Sequence, residues 1–349
     1  MKSIKVSVII LNWNGLKLLK KYFKSLINQN FNDYEIIFFD NNSSDKSIDY
    51  INKIKLKTKS KITIVKNTQN DGTAKASNEA SKYAKGKYLF FVSNDMIFDR
   101  NIIRNLYEYY CSNPEVGIAT VKMLRNINEN KTNIIDSMGA NIDLIGNAIS
   151  VNIHKKLNKV NDQNSEVFFS FGGALFIKKK LFKKVKGFDE RYFTLSDDID
   201  LCWRVRLLNF KVNYINKSYI YHRVSATLSN SHNRHIKRFF SERNNLCSII
   251  KNYSLNLLII IIPIYLCISI LEIIFFLLMF RFKISYVPIK SIIWNIKNLK
   301  ETLIKRKYIQ NTRTVSDMSI LKLTKFIPQK FIYGYEFFFN RKNWKNYFN

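Results

Sequence analysis

Three carboxylates lie close together at one point of a strongly basic chain. Asp197, Asp198 and Asp200 fall within the stretch TLSDDIDLCWR, whereas the 349 residues carry 57 Lys and Arg against 26 Asp and Glu, a formal net charge of +31. A carboxylate can act as a general base where it reaches the hydroxyl whose proton it takes. The same pattern fits the start of a helix, because Ser196 can cap the first turn and acids there suit the helix dipole. Asp200 can also pair with Arg204 one turn later.

Four apolar runs in the N-terminal third of the chain have the length of buried strands. They cover residues 6–11, 34–40, 61–66 and 87–92. Segments with helical spacing of apolar residues lie between them, as in residues 15–29 and 73–84. This alternation predicts an α/β fold with a mostly parallel sheet and helices on both faces.

Polar residues follow the ends of these runs. Ligands of such sheets bind beyond the carboxyl ends of the strands, so the residues there form one candidate rim. The rim is rich in amides and has two acids: Asn12, Asn14, Asp40, Asn42, Asn94 and Asp95. It contains neither GxGxxG nor GxxxxGK[ST], which argues against a Rossmann dinucleotide site and against a P-loop.

The composition narrows the possible partners and the compartment. The basic excess favours an anionic partner, although the over-use of Lys, Ile, Asn, Phe and Tyr also fits compositional drift. No arginine-rich tract or zinc pattern is present, so we expect no nucleic acid. Four scattered cysteines without a CxxC pair indicate neither a disulfide framework nor a zinc site, and fit reduced cytosol.

Nine motifs occur in an order that matches a known family: VSVIILNWNG, FFDNNSSD, NDGTAKASNEA, FVSNDM, FGGALFI, GFDERYF, SDDIDLCWR, YHRVSAT and ERNNLCSIIKNY. Together they resemble the family 2 glycosyltransferases, in particular the rhamnosyltransferase-like branch, over roughly residues 4–253. The resemblance implies a GT-A fold, a nucleotide-sugar donor, a divalent metal ion and inversion at the anomeric carbon. Mg²⁺ or Mn²⁺ suits carboxylate and phosphate oxygens, and Mn²⁺ accepts histidine more readily.

The resemblance also implies roles for individual residues. Asp198 matches the catalytic base of the family's Glu-Asp pair, and Asp197 stands in place of the Glu. Asp95 matches the last acid of the metal-binding DxD-type motif, which here reads SND and lacks its first acid. His222 matches a histidine that can complete the metal site.

Substrate contacts are expected from a larger set: Asn12, Asn14, Asp40, Asn42, Asn78, Asn94, Gly172, Gly173 and Asp200. Asp40 matches the acid that contacts the base or ribose of the nucleotide. Asn78 can line the donor pocket or form a local cap, and Gly172 and Gly173 can allow close approach near the acceptor or form a turn. Asp200 can contact substrate or support its helix.

The C-terminal part differs in composition, and we predict a division into a catalytic domain, 1–253, and a membrane-associated segment, 254–349. Residues 255–280 are long and apolar enough to cross a bilayer, interrupted by Asn256, Pro263 and Glu272. Residues 281–349 contain 15 Lys and Arg but three acids, which disfavours their export by a single crossing. We expect a kinked helix or helical hairpin in the cytosolic leaflet with the basic tail on anionic headgroups, where aromatics such as Trp344 and Tyr347 suit the interface. The alternative is a helix buried against the catalytic domain.

These features predict a metal-dependent inverting glycosyltransferase at the cytoplasmic face of the membrane. It would move rhamnose or a similar hexose from a UDP- or dTDP-linked donor to a glycan or lipid-linked glycan, for cell-surface polysaccharide or glycoprotein glycan synthesis. One alternative is a sugar nucleotidyltransferase, although LNWNGLK lacks the glycine- and arginine-rich phosphate loop of that class. The other is a non-enzymatic basic protein that binds membranes.

Overall fold

The computed structural model describes residues 4–223 and 234–332. The chain forms two compact units, the first made of residues 1–140 and 150–227 and the second of residues 141–149 and 228–349. The predicted functional division at residue 253 stays a prediction, because these units divide the chain at other positions. Trp344, Tyr347 and most of the YHRVSAT motif lie outside the described residues.

The first unit contains a ten-stranded sheet within residues 4–223. Through β12, the elements in chain order are β1 (Val6–Asn12), α1 (Leu16–Ile27), β2 (Tyr34–Asp40), α2 (Ser47–Lys55), β3 (Lys61–Lys66), α3 (Gly72–Lys82), β4 (Tyr88–Val92), β5 (Met96–Phe98), α4 (Ile102–Ser112), β6 (Val116–Ile127), β7 (Asn130–Ser137), β8 (Ala140–Asp143), β9 (Ala148–Ser150), β10 (Ser165–Glu166), β11 (Ala174–Lys178), α5 (Lys179–Lys184), α6 (Asp197–Leu207) and β12 (Lys211–His222). The sheet order is β10-β12-β6-β11-β4-β1-β2-β3, with β5 on β12 and β7 on β6.

The predicted α/β architecture is confirmed. Strands β3, β2, β1 and β4 are mutually parallel, as are β6 and β12, while β11 runs antiparallel between β4 and β6. Successive side chains of a strand point to opposite faces. Phe90 packs into the core that contains α1 and α4, whereas the ring of Phe91 lies 5.2 Å from that of Phe182 on α5. Helices therefore cover both faces, which explains why the strands are apolar at nearly every position.

From the sequence, residues 212–215 and 219–222 are predicted as two short strands, whereas the structure forms the single strand β12. It is one strand whose register on β6 shifts between Ile215 and Tyr219. After this irregularity, His222 pairs with Arg125 of β6 on one side and with Met96 of β5 on the other. The shift therefore brings the last residue of the strand beside the segment that follows β4.

The second unit is mainly helical in its described part. It contains α7 (Arg234–Asn252), α8 (Leu255–Leu278), α9 (Phe282–Lys297), α10 (Leu299–Thr312), α11 (Asp317–Leu321) and β13 (Thr324–Lys325), which joins β8 and β9 in a small sheet. Helix α8 is continuous through Pro263 and Glu272 and is long and apolar enough to cross a membrane.

Candidate functional site

The carboxyl ends of β1, β2 and β4 bring the predicted rim residues together. Asn12 is the last residue of β1 and pairs in register with Asp40, the last residue of β2. Asn94 follows β4, and its amide Nδ2 donates to Oδ1 of Asn12 at 2.9 Å. The rim is thus one continuous polar surface of the first unit.

Asp40 forms the buried end of this surface. Its carboxylate accepts from Nδ2 of Asn12 at 3.0 Å and from both the N–H and the hydroxyl of Ser43, at 2.8 and 2.6 Å. The side chain is fully buried, so these bonds satisfy it without a ligand. The contact of Asp40 with a nucleotide stays a prediction. In the structure, its hydrogen bonds to Ser43 hold the loop that follows β2.

Asn14 and Asn42 have left-handed backbone conformations, with φ of 51° and 66°. Asparagine tolerates this region better than most residues. The Oδ1 atom of Asn14 accepts from the N–H of Ser44 at 2.8 Å, which joins the loops after β1 and β2. Asn42 is exposed on the same loop.

Asp95 and His222 meet as a pair, and a third residue joins them. His222 Nε2 lies 3.5 Å from Oδ2 of Asp95, and His222 Nδ1 lies 2.8 Å from Oδ2 of Asp136 on β7. Burial lowers the pKa of His222, but hydrogen bonds and charges from the two carboxylates outweigh it and raise the pKa to about 9. Without a cation, His222 is therefore an imidazolium between two acids.

The chemistry of this cluster fits a divalent cation. Oδ1 of Asp95 is buried without a hydrogen-bond partner among the described residues, and such an orphaned oxygen is suited to a metal ion. Within residues 4–223 and 234–332, no three His, Cys, Asp or Glu side chains are grouped to hold a metal by themselves. A cation on Asp95 and His222 would therefore take further ligands from phosphate or water, as Mg²⁺ commonly does.

Asp197 and Asp198 begin α6 and point to different partners. Oδ2 of Asp198 accepts from the N–H of Gly172 at 2.9 Å, and Oδ2 of Asp197 accepts from the hydroxyl of Thr73 at 3.1 Å. Burial and then the charge of Asp198 raise the pKa of Asp197 to about 7. Burial also raises the pKa of Asp198, opposed by hydrogen bonds from backbone N–H groups. The two carboxyl groups form a coupled pair that can hold a proton near neutral pH.

Gly172 and Gly173 connect this pair to the segment after β4. A Cβ on Gly173 would lie 2.5 Å from Cε of Met96 and 3.1 Å from Oγ of Ser93, while Gly172 binds Asp198. The missing side chains permit the close approach of these elements. Asp198 and the SND motif therefore both lie next to Gly172–Gly173, at the same part of the surface of the first unit.

Two predicted site residues have structural partners elsewhere. Asn78 donates to the carbonyl of Phe188 at 3.0 Å and accepts from its N–H at 2.9 Å, which favours the local alternative. Asp200 is fully buried and forms a 2.8 Å ion pair with Arg204, which favours support of the helix. Their substrate contacts stay predictions without geometric support.

The predicted side-chain cap by Ser196 is wrong. Its hydroxyl makes no capping bond, and its φ is 59°. A capping residue normally has extended backbone, which directs its oxygen at the N–H groups of the first turn. The left-handed conformation prevents this geometry.

Sequence reasoning missed several residues that shape the site: Gly15, Ser43, Thr73 and Asp136. Ser43 lies in a quoted turn motif, and Gly15 directly follows the rim residue Asn14, so proximity to the strand ends could have indicated both. Asp136 carries no such signal, because it lies in β7, whose sequence NKTNIIDS lacks the continuous apolar run of the other buried strands.

Gly15 provides a test of the amide contact in this rim. A Cβ there would lie 2.3 Å from Oδ1 of Asn12 and 2.4 Å from Nδ2 of Asn94, the two atoms that bond to each other. We expect Gly15→Ala to separate them and to lower the free energy of unfolding by about 0.5–1.5 kcal/mol, the net contribution of one hydrogen bond, as measured by urea denaturation. Asn101→Ala is the control, since Asn101 also precedes a helix with similar backbone angles. An unchanged free energy of unfolding in the Gly15 variant would contradict the contribution of this contact.

The chain is similar in sequence to known glycosyltransferases. A poly(ribitol-phosphate) beta-glucosyltransferase of Bacillus spizizenii is 27% identical over 204 residues, 55% of this chain and 29% of the relative. A UDP-Glc:alpha-D-GlcNAc-diphosphoundecaprenol beta-1,3-glucosyltransferase of Escherichia coli is 39% identical over 90 residues, 26% of this chain and 35% of the relative. The chain thus spans about a third of the length of these curated relatives.

A solved structure supports the fold. The crystal structure of GalNAc-T7 with UDP, GalNAc and Mn²⁺ superposes with a TM-score of 0.65 at 14% identity, covering 92% of this chain and 56% of that one. The expected GT-A architecture is confirmed. The model of the family described as "Glycosyl transferase family 2" matches residues 7–185, just over half of the chain. The chain therefore belongs to glycosyl transferase family 2.

Proposed function

We propose that this protein is a metal-dependent inverting glycosyltransferase that moves a hexose from a UDP- or dTDP-linked donor to a hydroxyl of a glycan or lipid-linked glycan. The observation that carries the proposal is the junction at Gly172–Gly173, where Asp198 and the SND motif border one place. Sugar transfer needs a base for the acceptor hydroxyl and groups that stabilise the leaving group. The base and these groups must be separated by a distance that lets one sugar lie between them.

Asp198 is the proposed base. Backbone N–H groups of Gly172 and Ile199 donate to its carboxylate at 2.9 and 2.8 Å, which favours the charged form and fixes its orientation. Asp197 has the hydroxyl of Thr73 as its side-chain partner and the higher tendency to hold the shared proton. A single base that takes the acceptor proton during one displacement gives inversion, as in inverting hydrolases.

The donor side consists of the amide-rich rim and the Asp95–His222 pair. When bound, a divalent cation neutralises the negative charge that develops on the diphosphate leaving group. Asp95 would hold it through its orphaned oxygen, and His222 through Nε2. Asn12, Asn14 and Asn94 are proposed to contact the nucleotide. Both relatives are named for glucosyl transfer, which supports a hexose; the prediction of rhamnose has no support from these names.

The exposed apolar side chains of α8, in the second unit, support the proposal that the acceptor lies at a membrane. One face of α8 is buried through Ile261, Tyr265, Ile268 and Phe276, whereas large apolar side chains on its other sides are exposed. They are Ile259, Ile260, Leu266, Ile270, Leu271, Ile274, Leu277 and Leu278. An exposed apolar surface of this extent marks a membrane or protein contact. The relative from Escherichia coli is named for a diphosphoundecaprenol-linked substrate.

Glu272 does not place a charge on this apolar surface, because its carboxylate points into the second unit. It pairs with Arg238 of α7 and with Lys330, and both of these bases also pair with Glu242. Two acids and two bases thus neutralise one another, and Glu272 keeps only 8% of its side-chain surface exposed. The ion-pair cluster also attaches α8 to α7, so that α8 presents an apolar side while its polar side stays in the protein.

We therefore propose monotopic association with the cytosolic leaflet. Helix α8 turns directly into α9, whose lysines, such as Lys283 and Lys290, suit anionic headgroups. The attachment of one face of α8 to its own unit favours insertion of the other face over a single crossing. The catalytic unit and the basic residues then share the cytosolic side.

The role of Asp198 can be tested by Asp198→Asn. We expect release of nucleoside diphosphate from UDP- or dTDP-hexoses with Mn²⁺ or Mg²⁺ to fall by about 10²- to 10⁴-fold, the usual contribution of a general base. Donor binding should remain, because the amide keeps the volume of the side chain. Asp49→Asn, an exposed acid on α2, is the control. Activity within tenfold of wild type would exclude this base, and failure to bind any donor would exclude the enzyme.

The coupled acids predict an acid limb in the pH profile. Protonation of Asp197, whose pKa is raised to about 7, removes a neighbouring negative charge that strengthens Asp198 as a base, so kcat/KM should fall as the pH drops below about 7. Asp197→Asn removes that ionisation and should move the limb to lower pH, while Asp49→Asn should leave it in place. The measurement is kcat/KM from about pH 5 to about pH 9. An unmoved limb in Asp197→Asn would refute the coupling.

Flotation on vesicles tests the membrane surface. We expect the full chain to float with vesicles of phosphatidylglycerol and phosphatidylcholine, and less with phosphatidylcholine alone. Ile259→Glu combined with Leu271→Glu should reduce the bound fraction more than about tenfold, because each exposed apolar side chain gains roughly 1.5–3 kcal/mol on burial. Leu56→Glu, an exposed leucine of the first unit, is the control. A double variant that floats like wild type would contradict the assignment.

A further inference from the structure

Two charged side chains, Asp136 and Arg125, lie behind the proposed metal ligand His222 and have no role assigned so far. Oδ2 of Asp136 lies 2.8 Å from Nδ1 of His222, and Oδ1 of Asp136 lies 3.4 Å from Nε of Arg125. The three side chains are 14–21% exposed. At the other nitrogen of the ring, Nε2 of His222 lies 3.5 Å from Oδ2 of Asp95.

The strand registers explain why these four residues meet. His222 pairs with Arg125 of β6 and with Met96 of β5, which directly follows Asp95. Strand β7 returns along β6, and its register shifts between Leu124 and Asn126. The irregularity lies at Arg125. The sheet thus places a carboxylate on one side of the imidazole and a second carboxylate on the other.

We infer that Asp136, supported by Arg125, is a positioning residue that fixes the ring of His222 with Nδ1 protonated and Nε2 directed at Asp95. The shorter contact lies at Nδ1, and a carboxylate at this distance requires a proton on that nitrogen. Nε2 is then the nitrogen that can present a lone pair to a cation beside the orphaned oxygen of Asp95. Carboxylates behind metal-binding histidines fix the tautomer and ring orientation in this way.

Arg125 has a separate part in this arrangement. It holds the second oxygen of Asp136 by charge, since 3.4 Å is long for a hydrogen bond. The pair keeps the carboxylate from rotating away from His222. Removal of Arg125 should therefore loosen the arrangement less than removal of Asp136, which leaves Nδ1 without its acceptor.

The inference rests on the proposed metal-dependent function and is tested without catalysis. Mn²⁺ binding to the purified full chain with UDP is measured from the EPR signal of free aqueous Mn²⁺, and the tautomer of His222 from its ¹⁵N chemical shifts with diamagnetic Mg²⁺ in place of Mn²⁺. We expect Asp136→Ala to weaken Mn²⁺ binding about 10- to 100-fold and to abolish the shifts of the Nδ1-protonated ring. Asp136→Asn keeps an acceptor for Nδ1–H and should lose less. Arg125→Ala should also lose less than Asp136→Ala.

Glu129→Ala is the matched control, because Glu129 lies in the turn between β6 and β7 and pairs at the surface with Lys21. It should bind Mn²⁺ like the wild type. Mn²⁺ affinity within twofold of wild type in Asp136→Ala, while His222→Ala loses binding, overturns the inference and leaves the metal site intact. Unchanged affinity in His222→Ala overturns both the ligand role of His222 and the inference. Absence of binding of both UDP and dTDP to the wild type overturns the proposed function.

Discussion

The turn before α6 is the constraint on which the candidate site depends. Phe193, Leu195 and Ser196 all have positive φ, at 55°, 67° and 59°, and such conformations cost about 1–3 kcal/mol each. The carbonyl of Phe193 accepts from both the N–H and the hydroxyl of Thr73, which joins the turn to the start of α3. Gly72 has φ of 74°, and a Cβ there would lie 2.2 Å from this carbonyl, so glycine alone permits the contact.

This turn explains how two adjacent acids acquire different environments. Once it is fixed, α6 begins with Asp197 at the hydroxyl of Thr73 and Asp198 at the N–H of Gly172. The first side chain then belongs to the contact with α3, and the second faces the glycines that border the SND motif. Backbone strain of this kind persists only where the surroundings compensate for it, and it is often found at functional sites.

The strands and the rim could be predicted from the sequence because both follow from local pattern. Continuous apolar runs fix the buried strands, and parallel pairing then places Asn12 beside Asp40. Contacts that depend on strand register could not be predicted: Asp136 meets His222 only through irregularities in β12 and β7. The backbone conformation of Ser196 could not be predicted for a related reason. The contact of its turn with α3 gives Ser196 a left-handed backbone, which prevents the capping that local preference predicts.

Charge neutralisation inside the site reconciles its acids with an anionic donor. Asp95 and Asp136 share the proton-bearing ring of His222, and Asp197 holds a proton for much of the neutral range because its pKa is near 7. Asp40 is buried among amide and hydroxyl donors. In the proposed function, a diphosphate would approach carboxylates whose charge is balanced by the protonated His222 or by the cation that replaces its proton, within a chain whose net charge of +31 would attract it. Asp198, held by two backbone N–H groups, is then the carboxylate that the proposed reaction would use as its base.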